Sequence, residues 1–156
     1  MKEFDTSRAA ELVRLARTDA QLTQAQLAQR TGMRQPSLAQ IELGTRKVSS
    51  EMLERILRAA NYRPSLPVAE HAQEIKAAAQ KYGQSNVRVF GSMVRGQDDF
   101  NSDIDLLVTP SPETDLFHLA LFARDVQRLT GFPADVVADT SVIPTMREIQ
   151  AEAVAL

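Results

Sequence analysis

The chain has 156 residues, no cysteine, two histidines and a 44% apolar share, a composition ordinary for one folded domain or two small ones. Disulfides, thiolate zinc sites and cysteine nucleophiles are excluded, which leaves carboxylates as metal ligands and makes any metal a hard one. The net charge of −2 hides a division: residues 1–65 carry 11 Lys+Arg against 7 Asp+Glu, and residues 66–156 carry 7 against 13, so the first half is suited to a polyanion and the second is not without cations to offset it.

No run approaches the roughly 20 apolar residues of a membrane helix, and Met1–Arg17 lacks the apolar centre of a signal peptide. The expectation is a cytoplasmic protein with no membrane partner. In chain order, amphipathic periodicity predicts helices near Thr6–Ala20, Thr23–Thr31, Gln35–Leu43 and Ser50–Asn61. Two prolines in Asn61–Val68 then interrupt the helical pattern. After them come a helix near Ala69–Tyr82, strands near Val87–Phe90 and Ile104–Thr109, a helix near Glu113–Thr130, a strand near Asp135–Ala138 and a helix near Pro144–Ala155. The fold class expected is α+β in two domains: an all-α bundle over 1–63, a linker over 64–69, and an α/β domain over 70–156 with a short mixed sheet flanked by helices.

In the helical half, Thr23-Gln-Ala-Gln26 fits a capping box, and Gly32 can take the positive φ of a tight helix-to-helix turn. The next helix carries Pro36 in its first turn, where a missing N–H costs little. It presents Gln35, Ser37 and Gln40 outward, with Leu38 and Ile41 facing the core. Amides at a helix N-terminus suit base edges in the major groove, which makes Gln35 and Gln40 the base-reading candidates. Arg34, Arg46 and Lys47 flank that helix, where cations meet backbone phosphates.

Leu22-Thr-Gln-Ala-Gln-Leu-Ala-Gln-Arg-Thr-Gly32, followed by Ser37-Leu-Ala-Gln-Ile-Glu-Leu-Gly-Thr-Arg46, resembles the Xre or phage-repressor helix-turn-helix family over about residues 8–62. The resemblance implies Thr23 and Gln24 on phosphate, Gln35, Pro36, Ser37 and Gln40 facing bases, and Glu42 as a structural residue. Arg34 and Pro36 depart from the usual pattern, which has a small polar cap and a polar residue there. A four-helix module that mediates only protein contacts is the alternative.

In the second half, a strand leads into Gly91-Ser92, where a glycine permits close backbone approach and a serine adds a hydroxyl and an N–H for phosphate oxygens. After Arg95-Gly96 and a polar loop comes Asp103-Ile-Asp-Leu-Leu-Val108, whose period of two sets Asp103 and Asp105 on one face. Two such carboxylates repel unless a cation lies between them. Asp135, at the mouth of another apolar strand, supplies a third carboxylate; Asp139 is the competing choice. A three-carboxylate cluster suits two Mg²⁺ ions that align a triphosphate and an acceptor oxygen.

Gly91-Ser92, Arg95-Gly96 and Ser102-Asp-Ile-Asp105, in this spacing, are similar to the signature of the minimal nucleotidyltransferases of the polymerase-β-like superfamily, over about residues 70–156. The resemblance implies nucleotide contacts from Gly91, Ser92, Arg95 and Ser102, metal on Asp103, Asp105 and Asp135, and ATP as substrate. His71 and His118 fall outside these motifs and read as structural or surface residues.

A reader of DNA fused to such a transferase resembles bacterial toxin–antitoxin antitoxins. That resemblance implies repression of the protein's own operon, an operator of double-stranded DNA, a toxin partner encoded by an adjacent gene, a homodimer or hetero-oligomer, and transfer of AMP from ATP to a hydroxyl of the partner. A repressor whose second domain binds nucleotide or toxin without turnover, and a toxin that adds nucleotides to RNA, are the alternatives.

Overall fold

The structure is a computed structural model that describes residues 1–156, and its contacts divide the chain into two compact units, Glu3–Arg63 and Pro64–Leu156 with Met1–Lys2. The first unit is helical. A 3-10 turn at Thr6–Arg8 leads into α1 (Ala9–Asp19), followed by α2 (Gln24–Thr31), α3 (Gln35–Glu42) and α4 (Ser50–Ala59). The capping box forms: the Thr23 hydroxyl accepts from the Gln26 N–H, and the Gln26 side chain accepts from the Thr23 N–H. Gly32 ends α2 in the left-handed region at φ +69°, so α3 starts within three residues at a new angle. Leu27, Leu38, Ile41, Leu53, Ile56 and Leu57 are fully buried between the four helices.

The end of α3 is tied to α1 by ions. Glu42 is 3% exposed, and its carboxylate accepts from Arg17 Nε and Nη2 at 2.9–3.1 Å. Arg14 donates to the Glu42 carbonyl at 2.6 Å, and Arg17 Nη1 donates to the Leu22 carbonyl at 3.0 Å.

The second unit corrects two sequence expectations. The linker expected over 64–69 is a helix, α5 (Ser65–Glu70), with Pro67 and Val68 buried. The prolines do not break it, because Pro64 precedes the first turn and Pro67 sits within it, where helix N–H groups lack partners anyway. Asp98 accepts from the Ser65 N–H at 2.9 Å and satisfies one of those donors. The single helix expected over 69–82 is therefore divided at His71, with α6 running Ala72–Lys81.

Strand β1 (Gln84–Phe90) enters a 3-10 turn at Gly91–Met93; β2 (Ile104–Pro110), α7 (Leu116–Thr130) and β3 (Ala134–Ala138) follow. The second correction is at the end, where the expected last helix is shorter, α8 (Met146–Glu152), and gives way to a two-residue strand, β4 (Val154–Ala155). The sheet order is β3-β2-β1-β4, with β2 and β3 parallel and the other pairs antiparallel. A parallel neighbour requires a crossover, and α7 supplies it. Helices α6 and α7 pack on the sheet and on each other. Ile104, Leu106 and Val108 are fully buried, and the period of two puts Asp105 on the opposite face.

Candidate functional site

Strand pairing assembles the carboxylates. Register sets Asp105 of β2 opposite Phe90 of β1 on one side and opposite Asp135 of β3 on the other. Asp103 lies two residues before Asp105, at the mouth of β2 and exposed, as is Asp135. Asp105 is itself partly buried. Loss of hydration, then the charges of Asp135 and Asp103, push its pKa up to about 6, with Arg95 pulling the other way. Nowhere in the chain do three or more His, Asp or Glu groups converge into a ready metal cage. Asp139, the competing choice for the third carboxylate, is engaged elsewhere, accepting from Arg88 at 2.7 Å and from Thr109.

The Gly91 turn abuts these acids. Gly91 is buried at φ +79°, and a Cβ there would collide with the Asp105 carboxylate, so only glycine lets this turn lie against the acid. Ser92 follows, half-buried, and Arg95 lies at the surface beside the turn. One group that sequence reasoning missed occupies this turn. Glu152, the last residue of α8, accepts from the Gly91 N–H at 2.7 Å and from Arg95 Nη1 at 2.9 Å. No local pattern announces it, since 61 residues separate it from Gly91.

Ser102, expected on the nucleotide, is turned to the loop: its hydroxyl accepts from the Asp99 N–H at 3.0 Å. Both histidines make local contacts outside the candidate site. His71 bonds Glu74 at 2.7 Å, and His118 forms a capping box with Asp115 at the start of α7.

In the first unit, α2 and α3 present a polar surface. Arg34, Gln35, Pro36 and Gln40 are exposed, with Pro36 in the first turn of α3. Gln35 Nε2 donates to Gln24 Oε1 at 3.0 Å, joining the N-terminal ends of the two helices. Arg46, exposed beside Lys47, donates to the Ser37 hydroxyl at 3.2 Å. Thr23 is exposed at the head of α2.

With this geometry in place, the comparisons with known proteins agree. Residues 72–154 match the family model described as nucleotidyltransferase domain, more than half of the chain, and the chain belongs to that family. Residues 13–66 match the helix-turn-helix model. A solved structure designated a minimal nucleotidyltransferase is similar at 28% identity and a TM-score of 0.55, over 61% of this chain and 98% of that one. No curated protein matches the chain. The molecule thus joins a helix-turn-helix DNA-binding domain to a nucleotidyltransferase domain, and no helix is long and apolar enough to cross a membrane.

Proposed function

We propose that this chain is a DNA-binding antitoxin that represses its own operon and restrains a toxin encoded next door by transferring AMP from ATP to a hydroxyl of that toxin. The observation that carries the enzymatic part is the parallel pairing that seats Asp135 beside Asp105, against the Gly91 turn. The residues fit hard divalent cations: an acid held near pKa 6 by burial and by two neighbouring carboxylates is an anionic site in need of a counter-charge. Asp103, Asp105 and Asp135 would hold them. Held there, two Mg²⁺ ions would supply positive charge to offset the triphosphate and the leaving group.

The chain's own groups do the rest. The Gly91 and Ser92 N–H groups and the Ser92 hydroxyl bind phosphate oxygens, and Arg95 pairs with the β/γ end. Asp135, exposed on the strand beside Asp105, faces the acceptor and takes its proton. The acceptor oxygen bonds to the α-phosphorus as the bond from that phosphorus to the pyrophosphate oxygen breaks. The acidic character of the second half favours a protein acceptor over RNA. Incubation with α-labelled ATP, Mg²⁺ and the neighbouring gene product is expected to label that product; label on RNA alone, or none, overturns the proposal.

Thr23, Gln24, Arg34, Arg46 and Lys47 ring the reading helix as phosphate contacts, while Gln35, Pro36, Ser37 and Gln40 face bases. A dimer would place two copies of α3 on half-sites about 34 Å apart. Arg46→Ala is expected to weaken promoter binding evenly across sequences and lower the slope of log affinity against log salt by about 1, whereas Gln35→Ala should relax one base position at a cost of about 1–3 kcal/mol. Electrophoretic shift assays across a salt series check both, and equal behaviour of the two variants counts against the assignment. A second reading, a repressor whose second domain holds a toxin without turnover, draws support from the Glu152 carboxylate, which already occupies the Gly91 N–H.

A further inference from the structure

The Gly91 turn and Arg95 form an anion seat, and the molecule fills it with its own carboxylate. Glu152 Oε1 accepts from the Gly91 N–H at 2.7 Å, and Oε2 accepts from Arg95 at 2.9 Å. Both donors are groups through which a phosphate would be held. The contact contributes little to the fold, because Arg95 and Glu152 side chains are 51% and 32% exposed and such pairs are worth about 0–1 kcal/mol. It is also placed against electrostatics, since Glu152 adds to the negative field around Asp105. The element that delivers it is slight: seven residues of α8, then a two-residue edge strand paired with Arg88 and Val89. Short edge strands of this kind open at low free-energy cost.

We propose that Glu152 is an intramolecular stand-in for a nucleotide phosphate, and that α8 with β4 is a latch which an incoming triphosphate must displace. This rests on the nucleotide reading of the Gly91 turn. A triphosphate carries more charge and more acceptor oxygens than one carboxylate, so it wins the seat when its concentration is high, and the latch sets that threshold. A ligand without an anionic group has nothing to exchange for Glu152 and leaves the latch closed. The site is thereby selective for polyphosphate over nucleoside.

The test is calorimetric titration of the full chain with ATP and Mg²⁺, with amide exchange at Gly91 measured in the nucleotide-free protein. Glu152→Gln keeps the shape of the side chain and removes its charge. It is expected to bind ATP about tenfold more tightly than the unaltered chain and to exchange the Gly91 amide faster. In an Arg95→Ala background the same change should give much less gain, and Glu148→Gln, exposed on the same helix, should give none. Unchanged or weaker ATP binding by Glu152→Gln, in a protein that still binds ATP, overturns the latch and leaves the nucleotide reading intact. No ATP binding by either protein overturns the nucleotide reading and the latch with it.

Discussion

Asp105→Asn is expected to cut nucleotidyl transfer by about 10³-fold or more while making the metal-free protein more stable at pH 8. The loss follows from removing the central carboxylate, the one with Asp103 just ahead of its strand and Asp135 on the neighbouring strand, where several kcal/mol of charge stabilisation would be held. The gain follows from linkage. The folded state raises the Asp105 pKa from 3.8 to about 6, so the folded state holds the proton more tightly than the unfolded chain. The stability this confers is fully present below about pH 3.8 and is lost as pH rises through about 6. Above that, the unaltered chain bears a partly buried charge among like charges. Asparagine removes it, for a gain on the order of 1–2 kcal/mol after solvent screening. Thermal unfolding with chelator at pH 8 and pH 4 checks this: the variant should melt higher at pH 8, with the advantage much reduced at pH 4. A lower melting temperature at pH 8 would show that Asp105 serves the fold and not a cation.

Glu42→Ala is expected to destabilise the helix-turn-helix unit by about 3 kcal/mol. Glu42 and Arg17 side chains are 4% and 20% exposed, and removing one partner of a buried pair strands the other, at a cost of about 3–5 kcal/mol. The residual exposure of Arg17 sets the lower end of that range. The pair matters beyond its own energy, because Arg17 also holds the Leu22 carbonyl ahead of α2 while Arg14 holds the Glu42 carbonyl at the end of α3. Loss of the carboxylate therefore loosens the angle between α3 and α1 that the proposed reading of DNA requires. Urea unfolding followed by helix content measures the effect, and promoter affinity should fall in parallel. Glu42→Gln, which still offers one acceptor, should recover part of the loss. A change below about 1 kcal/mol for Glu42→Ala would mean that water replaces the pair.

What could be read in the sequence was what depends on neighbours in the chain. The capping box at Thr23 and the turn at Gly32 each lie within a few residues and take the local form their spacing requires, and the strand expected after Asp103 forms from Ile104. The nucleotidyltransferase signature is of the same kind. What could not be read depends on partners far along the chain. Glu152 acquires its place from Gly91 and Arg95, β4 exists because β1 offers it an edge, and Asp98 caps a helix that begins 33 residues earlier. The prolines near the domain boundary misled in a different way: the same residue type that ends a helix also starts one, and only its position in the first turn decides which.

The parallel pairing of β2 with β3 has a kinetic consequence. Asp105 and Asp135 are 30 positions apart and meet only after α7 has crossed over the sheet, so the crossover must close before their contact can form. Their mutual repulsion opposes that closure. The acids therefore come together only once the crossover has closed, and a nascent chain or a truncated fragment that stops short of β3 carries the signature of the transferase without the Asp105–Asp135 pair.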